Sequence, residues 1–166
     1  MELKKISPQA VPAALERVER YRLLNEPRVA ESICLDILAV DPDNEGASVG
    51  LILALTDQFG MEGTGARLNR RALDLAAELG DEYQRLYYTG IVYEREAKAR
   101  LTRGYPGAGF DAHDLLYRAM ERFAAAEPHA PEGVDDAVLR WNSCARIVTE
   151  YGLEARPEDN EVSLLE

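Results

Sequence analysis

The sequence predicts an all-α fold of about seven helices packed as antiparallel hairpins, and three observations carry that expectation. Strand formers are scattered, while Ala, Leu, Glu and Arg, which favour helices, dominate. Pro, Gly and Asp/Asn breakers recur along the chain and divide it into helix-sized stretches. The joints between stretches are short, and short joints leave successive helices as antiparallel neighbours.

Ser7 and Pro8 read as an N-cap and a first-turn proline, so a first helix runs from there to near Leu24. Asn25-Glu26-Pro27 restarts the chain, and a second helix reaches about Val40. Asp41-Pro42-Asp43-Asn44 stops it and caps a third helix that ends near Gly60. Thr64 caps a fourth, closed by Gly80. Asp81 with Gln84 three residues on resembles a capping box for a fifth, which continues to Arg103 and stops at Gly104. The stretch from Gly104 to Phe110 reads as a longer glycine-rich loop, after which Asp111 caps a sixth helix ending near Glu127. The seventh lies between Gly133 and Tyr151, with Gly152 as its stop. Residues 154–166 read as a flexible acidic tail, with Glu154, Glu158, Asp159, Glu161 and Glu166 against the single base Arg156.

The chain has 166 residues, a length suited to one domain with its own core. A net charge of −11, from 19 Lys+Arg against 30 Asp+Glu, argues against nucleic acid and against anionic membrane surfaces. Basic residues nevertheless outnumber acidic ones between Thr64 and Phe110, which makes that region a candidate docking patch for an acidic segment of a partner or for the chain's own acidic tail, or else an ordinary helix surface of i,i+4 pairs. Residues 1–8 contain no apolar run of signal-peptide type. The longest apolar run, Leu51–Leu55, is far short of the roughly 20 residues of a membrane span. Two cysteines, Cys34 and Cys144, make no disulfide framework and suit a reduced, cytoplasmic setting.

Small and large side chains alternate at helical spacing. The fifth helix has Leu86, Gly90 and Tyr93 on one face, where the glycine lets a neighbouring helix approach closely. The sixth has Ala119, Phe123 and Ala126, followed by Pro131. Trp141, Cys144 and Ala145 make a related face in the seventh, and Tyr21, Ala30 and Pro42 occur across the first hairpin. On these residues the chain resembles the tetratricopeptide repeat family between about residues 8 and 152. The resemblance implies about three and a half repeats over residues 1–153, stacked as a superhelix of helix pairs. The spacing departs from that family's pattern: the intervals from Val18 to Gly50, Gly90 and Ala145 lengthen along the chain, and Arg17 stands where the family places Leu.

No residue constellation points to an enzyme, a cofactor or a metal. His113, between Asp111 and Asp114, does not converge with them at helical spacing, and His129 lies in a turn between prolines. Gly104, Gly107 and Gly109 follow a helix rather than a strand and lack the dinucleotide order. Glu94 and Glu96 point to different sides of one helix and read as solvated acids.

In the tetratricopeptide family the first helix of each pair lines a concave groove that holds a peptide. The resemblance therefore implies a groove of Leu15, Glu19 and Arg22, then Ala47, Leu51 and Ala54, then Tyr87, Ile91 and Glu94, and finally Asn142 and Arg146. A carboxylate clamp of the chaperone type is not expected, because Leu15, Glu19, Ala47 and Leu51 occupy the comparable positions and cannot donate to an anion. The expected function is a non-enzymatic adaptor or scaffold that binds a peptide or helix segment of a protein partner in the cytoplasm. The alternatives are a secretion-type chaperone for a client protein and an assembly protein that forms a homo-oligomer through Trp141 and the apolar Val162, Leu164 and Leu165 of the tail.

Overall fold

The structure is a computed structural model that describes residues 1–61 and 65–157. The described residues form seven α-helices and no strand: α1 (Val11–Leu23), α2 (Pro27–Leu38), α3 (Glu45–Thr56), α4 (Gly65–Ala77), α5 (Glu82–Arg103), α6 (Ala108–Ala126) and α7 (Asp136–Glu150). Single 3-10 turns, Pro8–Ala10 and Glu127–His129, precede α1 and follow α6. No helix is long and apolar enough to cross a membrane among the described residues.

Local chemistry sets some of the helix ends, although Ser7, the expected first cap, makes no side-chain cap bond and α1 begins at Val11. Asn44 Oδ1 accepts from Ala47 N at 2.9 Å and opens α3. Asp81 Oδ1 accepts from Gln84 N at 2.8 Å and opens α5, but Gln84 Oε1 makes no reciprocal bond, so the capping box is half built. Gly104, at φ 64°, ends α5 in the left-handed conformation that glycine adopts without cost. Thr64, the expected cap of the fourth helix, lies outside the described residues.

The 104–110 loop is shorter than expected. Gly107, at φ 86°, reverses the chain and α6 begins at Ala108, so Asp111 is not a cap but a first-turn residue. Its carboxylate instead gathers three donors: Tyr105 Oη at 2.6 Å, Arg156 Nη2 at 2.8 Å and Arg100 Nη1 at 3.2 Å. The hydroxyl and guanidinium donors hold its carboxyl below the usual range. Arg156 also lies over the Phe110 ring, 5.4 Å from its centroid. Residues 154–157 are thereby tied to the start of α6, and the remaining tail, 158–166, lies outside the described residues.

Successive helices pack as hairpins, and α3 also touches α1 and α5. Helices α1, α3 and α5 thereby form one layer, which α7 joins through the side-chain pair of Arg140 with Glu94, while α4 reaches α2 through Arg71 and Glu31, 2.7 Å apart. Two apolar clusters fill the interior. One joins α1 to α4 around Ile37, Leu51, Ile52, Leu55 and Phe59. The other joins α5 to α7 around Ile91, Leu116, Phe123 and Cys144. Helix α5 serves both, giving Val92 and Ala99 to the first and Ile91 and Ala97 to the second.

The small residues lie where close approach is needed. A Cβ on Gly90 would stand 2.6 Å from Phe123 Cε1, so the α6 ring lies directly on the α5 backbone. Gly50 receives Val18 and Cys34 in the same way, at 3.0 and 3.1 Å. Trp141, expected on a core face, is 36% exposed. The face of α7 that turns inward is marked by buried Ala137 and Cys144 instead.

Gly90→Ala is expected to destabilise the protein by about 1–3 kcal/mol through overpacking against Phe123. Gly60→Ala, where an added Cβ meets nothing within 4 Å, is the control and should stay within about 0.5 kcal/mol. Urea unfolding of both variants checks this.

Candidate binding face

Where the odd-numbered helices meet, they share a strip of charged and aromatic side chains. Arg22 of α1 donates through Nε to Asp57 Oδ2 at 2.7 Å and through Nη2 to Asp57 Oδ1 at 3.4 Å. Asp57, just past α3, also accepts from Arg95 Nη1 of α5, which donates to Thr56 Oγ1 at 2.9 Å as well. On the next turn side of α5, Glu94 accepts from Lys98 and, at 3.3 Å, from Arg140 Nη1 of α7. Two ion-pair triads thus link α1 to α3 to α5, and α5 to α7. The Tyr87 hydroxyl and Glu94 together hold the Arg140 guanidinium in its charged form. Tyr87 sits in an aromatic group, stacked on Tyr83 at 5.5 Å and edge-on to Tyr88 at 5.2 Å.

Burial shapes the charge states. Desolvation lowers the pKa of Arg95, Asp57 opposes that shift, and the neighbouring guanidiniums of Arg22 and Arg140 reinforce it. Arg140 is lowered by desolvation too, but Glu94 and Tyr87 raise it by more. Both cysteine thiols are pushed up to about 12, chiefly by burial, so neither is a poised nucleophile.

The structure redraws the expected groove. Ala47, Leu51, Ala54 and Ile91 are 0%, 2%, 0% and 1% exposed and belong to the core. The reason is neighbour number: α3 is packed by α1, α2, α4 and α5, and the side chains left partly open on the strip are Val49, Leu53 and Asp57, at four-residue spacing. Leu15 is half-buried over Gly46, with Glu19 exposed beside Arg22 on the same stripe of α1. Tyr87 remains on the strip, next to Arg140. Asn142 and Arg146 do not join it, since two and six residues along a helix turn the side chain by roughly 200° and roughly 240° from Arg140. They line a separate shallow hollow with Ala145, Thr149 and Glu150.

Glu94 and Glu96, expected in solvent, are 0% and 4% exposed. Glu94 is neutralised by Lys98 and Arg140, and Glu96 by Arg100 at 2.9 Å, with Glu96 Oε2 left unbonded. The i,i+4 acid–base spacing on α5 was the signal that could have marked these pairs. Arg95 and Arg140 carried no such signal, because their counterions come from other helices. Among the described residues, no group of three or more His, Cys, Asp or Glu is arranged to hold a metal ion.

Leu51→Ala is expected to cost about 2–5 kcal/mol of stability, as for a buried leucine, rather than to act on a ligand. Denaturant midpoints of the variant and the parent chain decide this.

No family model, no curated protein and no solved structure matches this chain.

Proposed function

We propose that the chain is a non-enzymatic, tetratricopeptide-like adaptor of the cytoplasm, holding a peptide or helix segment of a protein partner along the strip of α1, α3, α5 and α7. The observation that supports it most is the convergence of half-buried Arg22 of α1, Tyr87, Tyr88 and Arg95 of α5, and Arg140 of α7 on one strip. Tyrosine and arginine are the side chains that most often carry binding energy, because each offers a wide apolar body with fixed polar donors. Ion pairs to Asp57 and Glu94 pre-set the guanidinium positions, which lowers the entropy lost on binding.

Nuclear magnetic resonance on the labelled full chain tests this, using peptides selected from a displayed library. The bound peptide is expected to shift resonances of Arg22, Leu53, Tyr88, Arg95 and Arg140. Shifts confined to the outer residues of α2, α4 and α6, or a library that yields no binder, would overturn the reading.

A second reading, self-association as a homo-oligomer, is favoured by the outer face of α7, where Val138, Leu139 and Trp141 are 37%, 63% and 36% exposed. Light scattering on the full chain is expected, on that reading, to give a mass above the monomer that falls to the monomer in Leu139→Ser. A monomer across the accessible concentration range counts against it.

A further inference from the structure

The strip has a charge that the chain as a whole does not. It holds four cations, Arg22, Arg95, Lys98 and Arg140, against the two carboxylates of Asp57 and Glu94. Each carboxylate is shared by two cations, so half the positive charge has no counterion within the strip. The four cationic side chains keep 20%, 23%, 44% and 37% of their surface, so they remain reachable. Glu19 and Asp136, the exposed acids at its borders, pair with none of them among the described residues.

Arg95 stands at the centre. Its two bonds both leave from Nη1, and among the described residues Nε and Nη2 bond to nothing in the protein. Arg22 and Arg140 flank it closely enough to disfavour its charged form, and burial acts in the same direction. An added carboxylate offsets the repulsion from Arg22 and Arg140, and the free Nε and Nη2 edge of the guanidinium can take it in bidentate fashion. The surface around this island belongs to a chain of net charge −11. A long polyanion such as nucleic acid would run from the island into that negative field. A short peptide with two or three acidic side chains matches the local surplus and stays within it.

Resting on the adaptor reading above, we infer that the strip takes an acidic peptide segment, whose Asp or Glu carboxylates pair with Arg22, Arg95 and Arg140 while an apolar or aromatic side chain lies against Leu53 and Tyr88.

Fluorescence anisotropy on the full chain tests it with four labelled probes. These are a pool of short peptides in which Asp and Glu alternate with Ala, Leu and Tyr, the same pool with Asn and Gln for the acids, the same with Lys, and a short oligothymidylate. The acidic pool is expected to bind about tenfold or more tightly than the Asn/Gln pool and to weaken as salt is raised. Arg95→Gln should remove most of that preference, and Arg118→Gln, on the exposed face of α6, should leave it intact. Arg140→Gln and Lys98→Gln, at more open positions, give the same reading if Arg95→Gln does not fold. Asp57→Asn keeps the acceptor but removes a competing charge, and it should tighten acidic binding, an effect that a purely structural role for these arginines would not produce.

Equal binding of the acidic and Asn/Gln pools would overturn the charge inference and leave the adaptor reading standing. Tighter binding of the oligonucleotide than of the acidic pool, or weaker acidic binding in Asp57→Asn, would also overturn the inference. Failure of all three peptide pools would overturn both readings.

Discussion

Helix α5 has to satisfy two apolar clusters at once, and the rest of the structure follows from that demand. Its Val92 and Ala99 complete the α1–α4 cluster, while Ile91 and Ala97 complete the α5–α7 cluster. A helix covered on two sides has little solvent-facing surface left for polar residues. Glu94 and Glu96 therefore end up buried, and an unpaired buried carboxylate would be strongly unfavourable. Neighbouring bases resolve this: Lys98 and Arg140 for Glu94, Arg100 for Glu96. The close seat of Phe123 on Gly90 belongs to the same constraint, since α6 can cover α5 fully only by touching its backbone.

The ion pairs have a geometric consequence beyond neutralisation. Arg140 reaches Glu94 from α7, and Asp57 holds Arg22 and Arg95 from α1 and α5. Half-buried pairs of this kind add little net stability, because desolvation offsets most of the attraction. They do fix side-chain positions. On the layer of odd-numbered helices the result is a row of guanidiniums whose counterions are shared and whose remaining donors stay open. Among the described residues the even-numbered helices share a single ion pair, Arg71 of α4 with Glu31 of α2, and no such row.

Much of the fold was legible in the residues. Asn44, Asp81, Gly104 and Gly152 mark helix ends through hydrogen bonding and positive φ, which are local properties. The Gly90 contact was legible too, since a glycine at helical spacing within an apolar face calls for a close neighbour. The binding face was not. In α3 every side is apolar, from Ala47 through Leu55, so the pattern names a helix but carries no phase. Choosing Val49, Leu53 and Asp57 over Ala47, Leu51 and Ala54 required knowing how many helices surround it. Trp141, read both as part of a packed face and as a self-association residue, lies partly open because α7 packs mainly on α6, leaving too few neighbours to cover a large ring.

The sequence by itself determined the number and order of the helices and several of their ends, Asn44, Asp81 and Gly104 among them, because propensity, capping and breakers act within a few residues. It also determined which stretches pack as hairpins, because the joints are short. Only the tertiary structure decided which way each helix turns about its own axis, because that rotation is set by neighbours distant in the chain. It is this rotation that buried Ile91 and Leu51, brought Arg22, Arg95 and Arg140 onto one strip, and left Asn142 and Arg146 on the far side of α7.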